Sequence, residues 1–203
     1  VFELDNIKDH PILFPVVTII IMEVFISKMR KLKGIRKMIL IEEAWKAIAR
    51  EGMAEYIKYL FKTVRKFFGE AIVVTQEVED IISSPVVKQA IINNSDCKIL
   101  LDQSKYQNKF DQIQELLGLT EKEKAQVLSI NKANDPGKKY KEVFISLGGM
   151  LSKVYRVEVS AEEYLAYTTE ETEKFKVMQL AEQFNGNIEK AITHYLNNKN
   201  QVL

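Results

Sequence analysis

Lys37-Met38-Ile39-Leu40-Ile41-Glu42-Glu43-Ala44-Trp45 is the stretch that decides the fold. Four successive apolar residues, Met38 to Ile41, read as a buried strand that delivers two adjacent carboxylates to the carboxyl edge of a sheet. Open α/β folds place their ligands at that edge. One acid there can hold the hydration shell of a Mg²⁺ ion, while its neighbour orients or deprotonates an attacking water. This is the acidic half of a nucleotide-hydrolysing site, the Walker B pattern. The same acids also read as a helix cap, stabilised by the dipole of the helix that follows.

The other half of such a site is the phosphate-cradling loop G-x-x-x-x-G-K-[ST]. Gly137-Lys138-Lys139 is the closest imitation, but Lys132 stands at the first glycine position and Lys139 at the hydroxyl position. It reads as a basic turn. The chain opens on Val1 and runs directly into the strand-like Val1-Phe2-Glu3-Leu4. We therefore expect a piece of a larger protein, cut downstream of its phosphate loop.

The 203 residues allow one large domain, or one domain with an appendage. A net charge of +1 gives no global field favouring nucleic acid or membrane. The single cysteine, Cys97, excludes an internal disulfide framework, and His10 and His194 offer no metal-ligand spacing. No signal peptide is recognisable, and a reducing, cytosolic setting fits. The apolar segment from Pro11 to Met22 is too short to span a membrane, which takes roughly 20 residues, and Glu23 interrupts it. A buried crossover helix is expected there, with Pro15 kinking it or beginning it afresh.

Short apolar runs alternate with longer amphipathic stretches, the grammar of βαβ units and a mostly parallel sheet. Strands are expected at Val1–Leu4, Met38–Ile41, Ala71–Thr75 and Cys97–Leu101. Met53, Ile57, Leu60, Val64 and Phe67 fall on one helical face, and Gly69 reads as the C′ residue ending that helix. Ser83-Ser84-Pro85 opens a helix to about Ile92. Helices follow over Lys105–Leu117 and Thr120–Ile130, the second with a Thr120/Glu123 capping box. After the turn Asn134-Asp135-Pro136-Gly137, the runs Glu142–Leu147 and Met150–Val159 flank Gly148-Gly149 as a hairpin, an antiparallel edge for a mixed sheet. Ser160 with Glu163 caps another helix, and the tail from Thr169 reads as two helices broken at Asn185-Gly186-Asn187.

Several residues join the paired acids as candidates. Gln76 closes the strand beside the acidic one, and its amide can both donate and accept at a γ-phosphate or its water; otherwise it faces solvent. Lys58, Lys62, Arg65 and Lys66 form a basic helix face. They either balance the helix C-terminus, or Arg65 or Lys66 neutralises phosphate in its own or a neighbouring subunit's site. The run Lys28, Arg30, Lys31, Lys33, Arg36 and Lys37 reads as a solvated helix terminus, with a nucleic-acid or lipid patch as the alternative. Trp45 and Cys97 read as structural, Cys97 as a small buried hydrophobe. His10 suits an N-cap, and neither histidine has a visible catalytic partner.

Leu40-Ile41-Glu42-Glu43-Ala44-Trp45, Thr63-Val64-Arg65-Lys66 and Ile72-Val73-Val74-Thr75-Gln76-Glu77 together resemble the large conjugation ATPases of type IV secretion systems, the TraG type above all. Asn94, Leu117-Gly118-Leu119-Thr120-Glu121-Lys122-Glu123 and the opening Phe2-Glu3-Leu4-Asp5 extend the likeness over about Val1 to Thr169. The resemblance implies an α/β, RecA-like, mostly parallel sheet flanked by helices, with an antiparallel hairpin edge and C-terminal helices. Residues 1–168 would be the C-terminal portion of the P-loop ATPase domain, without its Walker A loop, and 169–203 a helical tail. It implies ATP and Mg²⁺ as cofactors, self-assembly, often as a hexamer, and other secretion subunits as partners. The motor would work in the cytoplasm, peripheral to the inner membrane, driving pilus assembly and DNA transfer. Glu42 takes the Mg²⁺-side position, usually aspartate in the family, so metal contact could be direct or through water. Glu43 takes the catalytic glutamate's position, Gln76 the sensor's, and Arg65 and Lys66 the basic pair's.

Two rival readings differ in class. In a non-catalytic interaction or oligomerisation module the acids are helix caps and the basic faces bind a partner. In a DNA-translocating coupling ATPase, a close relative of the first reading, the Lys28–Lys37 run would touch single-stranded DNA.

Overall fold

The computed structural model describes residues 1–42, 51–75, 91–132 and 140–199. Helix α1, Leu13–Lys31, begins just after Pro11. His10 Nδ1 accepts hydrogen bonds from the amides of Ile12 and Leu13 at 3.3 and 3.1 Å, the capping role expected of it. Pro15 falls in the first turn, where a missing N–H leaves no bond broken. The strand expected over Val1–Leu4 does not form; Val1 and Phe2 stand exposed ahead of a 3₁₀ turn over Asp5–Ile7. Composition supplies a local preference only, and a strand also needs a neighbour to pair with.

Strand β1, Lys37–Ile41, pairs in parallel with β2, Gly69–Val73, and helix α2, Glu51–Thr63, lies between them in sequence. This is the expected βαβ unit, but β1 is not the buried strand expected: its pleat packs Ile39 and Ile41 against the helices and leaves Met38 and Leu40 60% and 52% exposed on the other face. Ile57, Leu60 and Val64 on the foreseen face are buried. They meet Phe14, Met22, Ile26 and Met29 of α1 and Ile39, Ile41 and Ala71 of the strands. The end of α2 departs from the sequence reading. The chain tightens into a 3₁₀ turn, Val64–Phe67, and Phe68, not Gly69, takes the left-handed φ of 56°. Gly69 instead opens β2, where a Cβ would lie 2.8 Å from Val64 Cγ2. Close approach, not backbone handedness, requires glycine there.

Lys37 fastens this unit at its amino edge. Its Nζ donates to the carbonyls of Met29, Leu32 and Phe67 at 3.3, 2.5 and 2.8 Å. These are acceptors left open where α1 and the 3₁₀ turn end, so one ammonium joins α1, β1 and the approach to β2.

Strand β3, Cys97–Leu100, pairs antiparallel with β4, Tyr140–Leu147, which pairs antiparallel with β5, Leu151–Glu158. Gly148 and Gly149 turn the hairpin with φ of 55° and 70°. Helices α3, Phe110–Leu117, and α4, Glu121–Ser129, cover one face of this sheet, burying Phe110, Ile113, Val127, Ile130 and Phe144. Cys97 is exposed, contrary to expectation. Leu100 packs in that core, and the pleat puts Cys97 and Ile99 on the opposite face. The Thr120/Glu123 capping box is present. Glu123 itself is buried, and its Oε1 accepts from Ser146 Oγ of β4 at 3.3 Å. Burial pushes this carboxyl up, but hydrogen bonds from the Thr120 amide and hydroxyl, Ser152 and Ser146 prevail and hold it below the usual carboxylate range.

The C-terminal helices have a small core of their own. Ser160 and Glu163 form the predicted capping box of α5, Ala161–Tyr167. Helices α6, Glu171–Gln183, and α7, Ile188–Lys199, are separated by Asn185 and Gly186 at φ of 54° and 81°. Leu165, Val177, Ala181, Ala191 and Ile192 are buried together. Among the described residues no helix is long and apolar enough to cross a membrane.

Candidate active site

The β1–β2 ladder pairs Lys37 with Gly69 and Ile41 with Val73, and the Val74 amide donates to the Ile41 carbonyl at 3.0 Å. Both strands thus end at one edge. Glu42 follows β1 there in an exposed turn, and Thr75, partly buried, follows β2. Glu43, Gln76 and Trp45 lie outside the described residues. The carboxylate of Glu42 is a hard oxygen donor in open solvent. Mg²⁺ in nucleotide sites is held by one or two carboxylates plus phosphates and waters, so this donor type fits that ion. Among the described residues no three His, Cys, Asp or Glu side chains form a metal-binding group.

Arg65 and Lys66 stand elsewhere. Both precede β2, in the turn Val64–Phe67, so they belong to the amino edge. The five residues of β1 put roughly 16 Å of strand between that edge and Glu42. Arg65 is 89% exposed and lies 4.0 Å from the Asp96 carboxylate. The fold does not bring these cations and the acid together within one chain. Asp96 directly precedes β3, so the contact also shows that β2 and β3 begin on the same side.

Asp102 was missed by sequence reasoning. It follows β3 as Glu42 follows β1, an acid closing an apolar run, and that grammar was the available signal. Hydrogen bonds from the Ser104 amide and hydroxyl lead in holding its carboxyl below the usual range, with Asn131 and the charge of Lys141 adding to them.

Half of the basic run is committed within the chain. Lys37 clamps three carbonyls, Arg30 donates to the Tyr59 hydroxyl at 3.0 Å, and Arg36 pairs with Glu70. On the α2 face, Lys58 pairs with Glu55 at 3.1 Å. His194 stacks edge-on to Phe184 at 5.4 Å and meets Asn198 at 2.9 Å, a structural setting.

Comparison with curated proteins returns no match. Among solved structures, VirB4 of Thermoanaerobacter pseudethanolicus matches with a TM-score of 0.54 at 17% identity, over 79% of this chain. The match spans 41% of the VirB4 chain, and at that identity it establishes the fold alone. A family model, the TraG P-loop domain, matches residues 1–199. The chain belongs to the TraG P-loop domain family, as its motifs led us to expect.

Proposed function

We propose that this chain is the acid-and-sensor part of an ATP-hydrolysing motor that powers type IV secretion, pilus assembly and conjugative DNA transfer. The parallel pairing of β1 with β2 carries the reading. It sets the end of β1, followed by Glu42, beside the end of β2, followed by Val74 and Thr75. In this account Glu42 holds Mg²⁺, directly or through water, and Glu43 takes the proton of the attacking water. Gln76 bonds the γ-phosphate or that water. The phosphate and adenine contacts come from a segment bearing the phosphate loop, in residues 1–168's parent domain, with 169–203 as a helical tail.

Arg65 and Lys66 serve a neighbouring subunit. Their place at the amino edge supports this, because the length of β1 separates Arg65 from its own chain's Glu42, while its side chain is exposed and open to a partner's nucleotide. The working form is then an oligomer, a hexameric ring, acting in the cytoplasm against the inner membrane with other secretion subunits. DNA contact through the Lys28–Lys37 run would rest on Lys28, Lys31 and Lys33, since Arg30, Arg36 and Lys37 are engaged within the chain. The test is ATP turnover by the intact protein and its Glu43→Gln variant, with this 203-residue chain beside them. Turnover in the first sample alone supports the proposal; undiminished turnover by Glu43→Gln sinks it.

A further inference from the structure

Helix α1 has two apolar faces. Phe14, Met22, Ile26 and Met29 point into the core. Leu13, Val16, Ile20 and Val24, spaced three, four and four, form a stripe on the other side, at 45%, 48%, 56% and 41% exposure. Glu23 at its margin already accepts a hydrogen bond from the Tyr56 hydroxyl at 2.8 Å. A helix that is apolar all round is ordinarily covered on both sides, and an exposed stripe of this kind marks a contact.

The charges at the two ends of α1 select what covers it. Asp5 and Asp9 precede the helix, while Lys28 and Lys31 close it and Lys33 follows. Among the described residues the Asp5 carboxylate pairs with the nearby Lys8 at 3.6 Å, and the three lysines make no ion pair. A second copy laid antiparallel sets stripe on stripe and each acidic end against the partner's basic end. A parallel copy would oppose like charges. Such a contact is self-complementary about a two-fold axis.

We propose that the outer face of α1 is a homodimer interface, in which Leu13, Val16, Ile20 and Val24 of two copies pack antiparallel and Asp5 and Asp9 face the partner's lysines. This contact differs from the head-to-tail contacts of a ring and does not depend on ATP hydrolysis.

Sedimentation of the 203-residue chain at low and high salt tests it. The expected result is a dimer whose dissociation increases with salt, because its ends are steered by exposed charge. Ile20→Asp should weaken it about tenfold or more, since it puts a charge where an isoleucine is buried. At concentrations low enough for both to be monomeric, its thermal unfolding should stay close to that of the parent, because the position is half exposed in the monomer. Lys31→Glu/Lys33→Glu should be monomeric alone, and should form a mixed dimer when combined with Asp5→Lys/Asp9→Lys. A chain that stays monomeric throughout would overturn the proposal and leave the stripe to an element outside this chain. So would a dimer indifferent to Ile20→Asp, or charge-swapped variants that fail to pair.

Discussion

Replacing Glu123 by alanine removes two supports at once. The reciprocal cap on α4 disappears: Glu123 Oε2 no longer accepts from the Thr120 amide and hydroxyl at 2.8 and 2.9 Å. A cap of this kind is worth about 1 kcal/mol. The Ser146 hydroxyl, buried at 4% exposure, also loses the acceptor 3.3 Å away. An orphaned buried hydroxyl costs about 1–3 kcal/mol. Together the loss should be about 2–4 kcal/mol, lessened where burying the carboxylate had itself been costly. Urea unfolding followed by circular dichroism measures it. The pH dependence isolates the charge. The folded carboxyl titrates below its ordinary value of 4.5, so its stabilisation is complete above that value and fades as pH falls through the lower folded one. Glu123→Gln, uncharged throughout, should therefore lose less stability than the parent over that acidic interval. A Glu123→Ala loss under about 0.5 kcal/mol, well short of the cap alone, would refute the reasoning. So would an unchanged acid limb in Glu123→Gln.

Other consequences are equally direct. Gly69→Ala should cost about 1–3 kcal/mol by overpacking against Val64, and Val64→Ala should recover part of it in the double variant. Lys37→Met should cost about 2–3 kcal/mol through its lost carbonyl bonds, with faster amide exchange in the last turn of α1. In the intact protein, Arg65→Ala and Glu43→Gln should each be inactive alone but regain turnover when mixed, because a mixed interface joins one intact acid to one intact arginine. No recovery on mixing would place Arg65 outside the neighbour's site.

Local signals were legible where the chain closes its own bonds. Thr120 and Glu123, Ser160 and Glu163, Gly148-Gly149 and Asn185-Gly186 each act within a few residues, and each forms as read. The buried face Ile57, Leu60 and Val64 was visible because helical period survives in sequence. Failures came where a distant partner decides. Val1–Leu4 reads as a strand but does not form one, and Cys97 reads as buried while its face of β3 stays open. Phe68, not Gly69, takes the left-handed turn, and Gly69 is needed instead because Val64 leaves no room for a Cβ there, a contact no spacing rule reports. At the candidate site, Glu42 was legible from the apolar run before it. The separation of Arg65 and Lys66 from Glu42 was not, because it depends on which edge of a parallel pair each turn occupies.

Turnover of ATP by the intact protein, with and without Glu43→Gln, tests the central claim most directly. The account predicts that Glu43→Gln still binds nucleotide but loses hydrolysis almost entirely. Hydrolysis at the parent rate would make the paired acids a helix cap and contradict the motor reading of this edge.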